Sequence, residues 1–538
     1  MNNSLTLRAV DPLPIAILGI PFHHVTVQQA IERVDQMIAS REPHYLVTPN
    51  VDFLVQARRD IELRRILCEA HLVVCDGTPL VWASRLLGNR LPERVAGADL
   101  VPLLIEMAAQ KGHRIFLLGA SDDSLAQAVE NLRSQYPDLL IAGQYSPPFN
   151  RLLEMDHEQI RARIIKAQPD LLLVSLGCPK QEKWIAMHYR ALGVPVTAGV
   201  GATIDFLAGK VRRAPRWMQR SGAEWLFRLA QEPGRLCRRY IKDLWVFNWS
   251  ILAQWWFLQL RSPPTKPLIL LESPYPKRPD SVPLSSPSSK NFDLDKDNDK
   301  GADNAFEGTF RAAETADAWN HSSAHFSKDE PHCIQAPASL DLETIRDAPP
   351  VTGQMLAGGQ HCCLDLGSVT FIDSSGVGFL IGLQKQLRAA GRQLVLLRPS
   401  RAVRRALGLM RLEEFFASAP DLPAARELIS NREREAASQD ARVALLGPGV
   451  LVWQGEVTAA NADEVWELAR ARLAMPGAPP HWTVDMAQVR FIDSSGLGIM
   501  VRAKKMARQS GHTLAFANLQ PPVQNVLKLA RLEEFLLK

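Results

Sequence analysis

The sequence predicts an α/β protein of several domains: a larger α/β domain, a helical segment that follows it, and two small α/β modules at the end of the chain. Three observations support this prediction. At 538 residues the chain is too long for one core, and its length indicates roughly three or four domains. Residues 10–205 alternate short apolar runs with amphipathic stretches, as α/β domains do. Beyond residue 330, one motif occurs twice.

The first domain, assigned to residues 1–220, is expected to hold a parallel or mixed sheet covered by helices. Several of its apolar runs end at Gly or at a polar residue and lead into helical patterns such as Ser124–Arg133. This order is typical of a strand followed by a helix. The predicted strands are Ile15–Leu18, Tyr45–Thr48, Leu72–Cys75, Arg114–Leu118, Leu171–Leu176 and Pro195–Ala198.

Residues 221–261 are expected to form a helical appendage that associates with a membrane. Residues 209–242 contain ten Lys or Arg and two Glu, and the segment Leu244–Leu260 contains four Trp and no charge. As a helix this segment spans about 26 Å, which is marginal for crossing a bilayer. It could be a buried or dimer-forming helix, a spanning helix, or a helix in the membrane interface. The interfacial helix is favoured because Trp prefers the headgroup region and basic residues lie just upstream.

Residues 262–330 are predicted to form a flexible linker. Pro, Ser, Asp and Lys are abundant in residues 262–305, a composition that cannot bury a core. The acidic run Asp293–Asp299 could bind a hard cation. It lacks the Gly and the terminal Glu of a calcium loop, so a solvated linker is favoured.

The composition, with 46% hydrophobic and 22% charged residues, is that of a soluble globular protein. The seven cysteines are scattered and show neither metal-ligand spacing nor a disulfide framework. The N-terminus lacks the basic stretch and long apolar run of a secretory signal. We therefore expect a protein of a reducing, bacterial-type cytoplasm, with no nucleic acid among its partners.

Three polar or Gly-rich clusters follow predicted strands of the first domain. The first cluster combines Thr48-Pro-Asn50 with Asp76-Gly77. Because the carboxyl ends of strands line the ligand crevice of open α/β sheets, the Asp76 carboxylate is placed to accept a proton from an attacking hydroxyl. Its position alone favours a turn or helix-capping Asp.

The second and third clusters are Leu176–Glu182 and Gly199–Phe206. Gly-rich strand ends can leave backbone N–H groups free to approach a phosphate, and Lys180 could add a point charge to a diphosphate. The Gly spacing fits neither a P-loop nor a dinucleotide fingerprint, so by itself it identifies no ligand.

Together these clusters resemble the WecG/TagA/CpsF glycosyltransferases, glycosyltransferase family 26, over residues 14–241. The resemblance implies an inverting transferase that needs no metal and no cofactor. It implies a UDP donor carrying an N-acetylmannosamine-type sugar or glucose, and an acceptor saccharide linked to polyprenyl diphosphate. The matching residues are Thr48, Asn50, Asp76-Gly77, Arg94-Val-x-Gly97-x-Asp99, Gly177-x-Pro-Lys-Gln-Glu182, Gly199-Val-Gly201, Asp205-Phe206, Arg213-Ala-Pro215, Glu224-Trp225, Arg228 and Glu232-Pro233-x-Arg235-x-x-Arg238-Arg-Tyr240.

The resemblance also assigns roles to individual residues. Asp76 corresponds to the proposed general base, with Thr48 and Asn50 as catalytic-pocket residues beside it. The arginines of the appendage are expected to complete the site, face the membrane and offset the charge of departing UDP. Ile204 stands where we expect an aromatic residue. The implied substrate-binding residues are Arg94, Gly97, Asp99, Lys180, Gln181, Glu182, Gly199, Gly201, Asp205, Arg228, Arg235 and Arg238.

The repeat defines two similar modules, assigned to residues 331–430 and 441–538. The thirteen residues that begin at Asp365 match thirteen that begin at Asp485, 120 residues later. The same offset relates Arg411–Phe415 to Arg531–Phe535. Matches at one fixed offset indicate a duplicated domain.

In each module the motif Asp-Ser-Ser-Gly separates a predicted strand, Val369–Ile372 or Val489–Ile492, from a predicted helix. Such residues could simply cap the helix, or the serines could receive a phosphate near free N–H groups. The motif resembles that of STAS domains, the fold of anti-sigma-factor antagonists. The resemblance implies that a partner kinase phosphorylates Ser374 and Ser494, which adds about −1.5 to −2 charges and could dismiss a bound partner.

The first module departs from this pattern. The second module has Gly455-Glu-Val-Thr-Ala-Ala-Asn461, which matches the early strand of the STAS family, whereas the first has Gln335-Ala-Pro-Ala-Ser-Leu-Asp341. We therefore expect a degenerate first module and a working second module. Both are expected to receive regulation and not to catalyse a reaction.

These expectations define a transferase of bacterial polysaccharide assembly, cytoplasmic and peripheral on the inner face of the plasma membrane, whose STAS modules regulate its activity or location. Its expected partners are the UDP-sugar, the lipid-linked acceptor, the membrane surface, an anti-sigma-type serine kinase or other STAS-binding protein, and a second copy of the chain. The alternative is a non-catalytic, anti-sigma-type scaffold that senses lipid-linked saccharide. A sulfate transporter with a STAS tail is excluded, because the chain lacks several runs of about 20 apolar residues.

Overall fold

The computed structural model describes residues 14–211, 214–215, 218, 224–231, 233–259, 320–321, 331–346, 361–413, 415–437, 443–447, 449–459, 461–475, 479–530 and 532–537. The described chain is mixed α/β, as predicted, with one larger domain and two smaller modules that each contain a sheet. The predicted linker, including its acidic run, lies outside the described residues except for Asn320–His321.

The larger domain is built on a parallel sheet. Its strands are β1 (Ile15–Ile17), β2 (Ile20–Phe22), β3 (His44–Val47), β4 (Leu72–Val73), β5 (Arg114–Gly119), β6 (Leu140–Tyr145), β7 (Leu171–Ser175) and β8 (Val196–Gly199). Six of them form one sheet in the order β4–β3–β8–β7–β5–β6, and every neighbouring pair is parallel. The other two, β1 and β2, pair antiparallel as a separate ribbon, so the first predicted strand lies outside the main sheet.

Helices cover both faces of this sheet. They are α1 (Val27–Ser40), α2 (Val51–Ala57), α3 (Ile61–Glu69), α4 (Thr78–Leu86), α5 (Gly97–Lys111), α6 (Asp122–Gln135), α7 (His157–Ala167), α8 (Lys180–Leu192) and α9 (Thr203–Leu207), with a 3₁₀ turn at Leu152–Glu154. Alternate residues of a strand point to opposite faces. Thus Tyr45 and Val47 join a core with α2, α3 and α8, whereas Leu46 joins a second core with α1, α5 and α6.

Two helices, α10 (Glu224–Gln231) and α11 (Pro233–Gln259), form the appendage. The predicted helical segment is therefore helical where it is described. One face of α11 is buried and includes Phe247 and Gln254. The opposite face exposes Trp245 (74%), Trp249 (70%), Leu252 (50%) and Trp256 (62%).

The first module contains β9 (Asn320–His321), β10 (His332–Gln335), β11 (Ser339–Leu340), β12 (Cys362–Asp365), β13 (Phe371–Ile372), β14 (Leu394–Leu397) and β15 (Ala417–Ala419). Its helices are α12 (Leu342–Arg346), α13 (Ser374–Ala389), α14 (Arg401–Leu409) and α15 (Leu422–Ala437). The main sheet has the order β15–β14–β12–β10–β9, and β11 pairs separately with β13. Strand β9 lies within the predicted linker and was not predicted from the sequence. It consists of two polar residues, which are too few to show a strand pattern.

The second module contains β16 (Val443–Gly447), β17 (Val450–Val457), β18 (His481–Ile492) and β19 (Thr513–Ala517), which form one sheet in sequence order. Its helices are α16 (Ala462–Leu473), α17 (Ser494–Gln509), α18 (Pro521–Ala530) and α19 (Glu533–Leu537). In both modules the Asp of the repeated motif caps the following helix. Asp373 and Asp493 each accept the N–H groups of the second and third residues after them.

The two modules join the larger domain differently. The first module shares one apolar core with it, in which Ile15 of β1 and Phe247 of α11 belong to the same cluster as Leu380 of α13. A Cβ on Gly378 would lie 2.0 Å from the carbonyl oxygen of Pro14, so only glycine allows α13 to approach β1 this closely. The second module has its own core, to which the described part of the larger domain adds only Leu153.

Candidate active site

The predicted clusters of the larger domain lie at one edge of its sheet. Strands β4, β3, β8 and β7 are neighbours and parallel, so their carboxyl ends share that edge. The edge carries, in this order, Asp76, then Thr48 with Asn50, then Gly201 and Lys180.

The side chains of Asp76 and Thr48 both approach Gly97. A Cβ built on Gly97 would be 3.4 Å from Thr48 Oγ1 and 3.8 Å from Asp76 Oδ2. A Cβ built on Gly77 would be 4.0 Å from the Cβ of Asn50. Thr48 is buried, whereas Asp76 and Asn50 are half-buried. The fold therefore brings the three predicted catalytic residues together and leaves the Asp76 side chain partly accessible.

The Asp76 carboxylate also holds the start of a helix. The N–H of Gly97, the first residue of α5, donates to Asp76 Oδ2 at 3.3 Å, and Ala96 supplies no side-chain cap. Asp76 thus holds the start of α5 rather than of α4, the helix that follows it in the sequence, while it lines the edge cluster. The positive end of the helix dipole favours a negative charge here.

Arg94 connects the edge cluster to the appendage. Its guanidinium lies 2.9 Å from Asp99 Oδ2 and 3.0 Å from Glu224 Oε2, where Glu224 belongs to α10. Burial opposes the charge of Arg94, but the hydrogen bond to Glu224 and the charges of Asp99, Glu224 and Asp76 outweigh it and raise the pKa of Arg94. Glu224 was not among the predicted site residues. Only its place in the matching motif pointed to it.

Gln181 and Glu182 lie buried beneath the end of β8. Gln181 Nε2 donates to Glu182 Oε1 at 2.6 Å, and Gln181 Oε1 accepts the N–H of Gly201 at 3.2 Å. A Cβ on Gly199 would come within 3.0 Å of Gln181 Nε2, which explains a glycine at this position. Burial raises the pKa of Glu182 to about 7. Its Oε2 atom has no hydrogen-bond partner among the described residues.

The expected free N–H groups at the end of β8 are already used. The N–H of Val200 donates to Val174, that of Gly201 to Gln181, and that of Thr203 to the carbonyl of Val200. Strand pairing and the start of α9 consume these donors, which the Gly pattern could not reveal.

Five further predicted residues lie in α8, α9 and the appendage. Lys180 Nζ donates to the carbonyl of Asn150 at 2.8 Å. Asp205 is half-buried in the first turn of α9. Arg228 lies in α10, and Arg235 and Arg238 lie in α11, but these three arginine side chains fall outside what the structure describes.

The predicted phosphorylation sites are buried against the larger domain. Ser374 is 0% exposed, and its Oγ accepts a hydrogen bond from Gln254 Nε2 of α11 at 3.0 Å. Ser494 is 5% exposed, and its Oγ donates to Glu62 Oε2 of α3 at 2.8 Å. Neither Gln254 nor Glu62 was predicted as functional, since nothing in the sequence relates residues so far apart.

Fold and edge cluster define a multidomain α/β protein whose candidate active site lies at the carboxyl edge of a parallel sheet. The model of the glycosyl transferase WecG/TagA/CpsF family matches residues 15–261, and the chain belongs to this family. A STAS domain matches residues 327–428 and a Mlab-type STAS domain matches residues 443–538. Both resemblances found in the sequence are therefore confirmed.

Two curated relatives carry the same name, N-acetylglucosaminyldiphosphoundecaprenol N-acetyl-beta-D-mannosaminyltransferase. The protein of Bacillus subtilis (strain 168) is 35% identical over 202 residues, which cover 38% of this chain and 75% of that protein. The protein of Staphylococcus aureus (strain MW2) is 28% identical over 239 residues, which cover 44% and 91%. A comparison with a solved structure of SLC26A9 covers 36% of this chain and 36% of that chain at 15% identity, and the TM-score of 0.16 is too low to indicate a shared fold.

Within the described ranges, no helix is both long enough and apolar enough to cross a membrane.

Proposed function

We propose that the chain transfers an N-acetylmannosamine-type sugar from a UDP donor to N-acetylglucosamine linked to undecaprenyl diphosphate. The two relatives named above support the sugar and the acceptor, since their names state both. The single observation that carries the proposal is the convergence of Asp76, Thr48 and Asn50 at the carboxyl edge of the sheet, where α/β proteins bind their ligands.

In the proposed reaction Asp76 acts as general base. The acceptor hydroxyl passes its proton to the Asp76 carboxylate while its oxygen bonds to the anomeric carbon of the donor sugar. The bond between that carbon and the UDP oxygen breaks, and UDP leaves with the bonding electrons. Attack from the face opposite UDP inverts the anomeric configuration.

The departing diphosphate needs positive charge nearby. We propose that Lys180, together with Arg228, Arg235 and Arg238 of the appendage, supplies this charge without a metal or another cofactor. The ion pairs of Arg94 with Asp99 and Glu224 support a related role, because they fasten α10 to the start of α5 beside Asp76. Arg94 and Asp99 would then position the appendage over the site.

The lipid acceptor requires the enzyme to work at a membrane surface. Trp245, Trp249, Leu252 and Trp256 recur every three or four residues, so they form one exposed stripe along α11. Tryptophan prefers the headgroup region of a bilayer. We propose that this stripe lies in the interface at the inner face of the plasma membrane, as a peripheral contact.

We further propose that the STAS modules regulate the transferase. Along the chain, helix α3 follows β3, the strand that precedes Thr48, and leads into β4, the strand that precedes Asp76. Both modules contact α3. Glu69 pairs with Arg388 of the first module at 2.6 Å, and Arg65 pairs with Glu456 of the second at 3.0 Å. A change at either module therefore reaches the element between the two catalytic strands.

A donor comparison on the full chain tests the proposal. Purified protein is mixed with liposomes that contain N-acetylglucosaminyl diphosphoundecaprenol and either UDP-N-acetylmannosamine or UDP-glucose. Mass spectrometry should show one added N-acetylhexosamine, and NMR of the product should show inversion at its anomeric carbon. Transfer of glucose alone, or retention of configuration, would contradict the proposal.

A further inference from the structure

A polar contact joins the start of α17 in the second module to the larger domain. The N–H of Ser494 donates to Glu62 Oε1 at 2.7 Å, and the Ser494 hydroxyl donates to Glu62 Oε2 at 2.8 Å. Both carboxylate oxygens of Glu62 thus hold one serine. Glu62 is itself 4% exposed, so this contact is buried.

A second polar contact lies beside the first on α3. Arg65 pairs with Glu456 at 3.0 Å, and its guanidinium lies 4.1 Å from the centre of the Phe491 ring. Because Glu62 and Arg65 are three residues apart, they lie on the same face of the helix. We call this face, with its partners Ser494, Glu456 and Phe491, the α3 contact.

The charges around Ser494 are predominantly negative. Lys183 Nζ lies 2.8 Å from both Asp60 Oδ2 and Glu62 Oε2, so its single positive charge is shared between two carboxylates. Burial and the charge of Glu62 raise the pKa of Asp493, the residue before the serine. Any further negative charge at Ser494 would be buried against Glu62, whose ion-pair partner Lys183 is already shared with Asp60.

The first module offers a different environment. Ser374 meets the neutral amide of Gln254, and the next serine, Ser375, accepts a hydrogen bond from the neutral amide of Asn89 at 2.8 Å. This module also shares the apolar core of the larger domain. The second module keeps a separate core, and a cleft of about 880 Å³ lies beside its α3 contact. Separation of the second module would therefore remove only Leu153 from the described part of its core, whereas separation of the first module would open a shared core.

We infer that the transferase domain is itself the partner bound by the second STAS module, and that a negative charge placed on Ser494 releases this module from the α3 contact. This inference deepens the proposed regulation and rests on it. A kinase would transfer the γ-phosphoryl group of a nucleoside triphosphate to Ser494 Oγ. The new O–P bond forms, the bond to the β-phosphate breaks, the nucleoside diphosphate leaves, and the hydroxyl proton passes to a base of the kinase.

The burial of Ser494 sets the order of events. At 5% exposure the serine is not accessible to a kinase while the module is bound. Modification therefore acts on the released population. It then prevents return, because the phosphate cannot donate the hydrogen bond to Glu62 and repels it instead.

Hydrogen exchange of the full chain tests this inference without any measurement of sugar transfer. The N–H of Ser494 donates to Glu62, so its exchange rate reports the α3 contact directly. In Ser494→Asp, peptides from the starts of α17 and α3 should exchange at least about tenfold faster than in the wild type, a loss of about 1.4 kcal/mol. Strand β19 should stay protected, which shows that the module remains folded.

Two further variants distinguish charge repulsion between residue 494 and Glu62 from a general destabilisation of the second module. Ser510→Asp adds the same charge to the exposed end of α17 and should behave as the wild type. Adding Glu62→Gln to Ser494→Asp should restore slow exchange, because the amide can donate to the new carboxylate. Wild-type exchange in Ser494→Asp, equal acceleration in Ser510→Asp, or no recovery in the double variant would overturn the inference.

If β19 also exchanges faster in Ser494→Asp, the module has unfolded. A substitution on the larger-domain side of the α3 contact then tests the inference. Glu62→Ala removes both acceptors of Ser494 and leaves the module sequence unchanged. Faster exchange at the start of α17 with a protected β19 would support the inference. Unchanged exchange there would overturn it.

Discussion

At the scale of single residues, the burial of Glu182 has a cost that depends on pH. The pKa of this carboxyl is raised to about 7, so the folded chain keeps a proton that the unfolded chain loses at lower pH. The contribution of this proton to the free energy of unfolding is complete below the ordinary Glu pKa, and it is lost as pH rises through 7. Glu182 therefore disfavours the folded state most strongly in mildly basic solution.

Replacing Glu182 with Gln should remove this pH dependence. Between pH 5 and pH 8, the free energy of unfolding of the wild type should fall by about 2.5 kcal/mol more than that of Glu182→Gln. Thermal or denaturant unfolding of both proteins at the two pH values measures the difference. Parallel curves would show that Glu182 is ionised in the folded chain at both pH values.

The residues around Asp76 show which parts of a site a sequence can reveal. Thr48, Asn50 and Asp76 each follow an apolar strand, and the carboxyl ends of parallel strands meet, so their convergence could be predicted. The tie between Arg94 and Glu224 could not, because ion pairs leave no periodic pattern in the sequence. Nor could the occupied N–H groups after β8, since hydrogen-bond partners depend on packing.

At the scale of secondary-structure elements, α11 has two faces with different roles. The buried face carries Gln254, which accepts the N–H of Leu18 and donates to the carbonyl of Ala16 and to Ser374. The exposed face carries the Trp stripe. The absence of charge in residues 244–260 indicated an apolar helix, but not which side would be covered by protein.

Removing the Trp stripe should weaken membrane binding. Full burial of a large apolar side chain contributes about 1.5–3 kcal/mol, so partial burial of three tryptophans contributes roughly 3 kcal/mol in total. Changing Trp245, Trp249 and Trp256 to Ser should therefore lower partitioning about a hundredfold. Flotation of the full chain with anionic liposomes measures it. Leu446→Ser, which changes an exposed apolar residue of the second module, is the matched control and should float as the wild type does. Equal flotation of the triple variant would show that another surface binds the membrane.

The strands of the sheet were predictable in proportion to their burial. Residues 171–174 of β7 are buried, and the sequence shows a continuous apolar run there. Strand β6 lies at the sheet edge and is largely half-buried, so its sequence LIAGQY gives no such run. Strand β9 consists of only two polar residues. Edge strands therefore account for two of the differences between prediction and structure.

At the scale of the whole molecule, the repeat revealed two modules but not how they meet the transferase domain. Ser494 and Glu62 are separated by 432 positions, so no local pattern in the sequence could relate them. The shared core of the first module was hidden for the same reason. The apolar residues of the first module are equally compatible with a STAS domain that packs alone and with one that shares its core with a neighbouring domain.

Two truncations should expose this difference. A chain that ends at residue 437 loses only the second module, whose core is separate, whereas a chain that ends at residue 262 also loses the first module and uncovers β1 and α11. We expect the shorter chain to aggregate, or to unfold about 5 °C or more below the longer one. Size-exclusion chromatography with thermal unfolding measures both. Equal stability of the two truncated chains would show that the shared core contributes little.

The central claim is that the full chain is a working glycosyltransferase that uses Asp76 as its base, and not a lipid-sensing scaffold. Turnover of UDP-N-acetylmannosamine by the wild type and by Asp76→Asn, in the presence of the lipid-linked acceptor, tests it most directly. The wild type should release UDP with formation of the disaccharide lipid, and Asp76→Asn should turn over about 10²- to 10⁴-fold more slowly while still binding UDP. Binding of both substrates by the wild type without any product, or full turnover in Asp76→Asn, would contradict the claim.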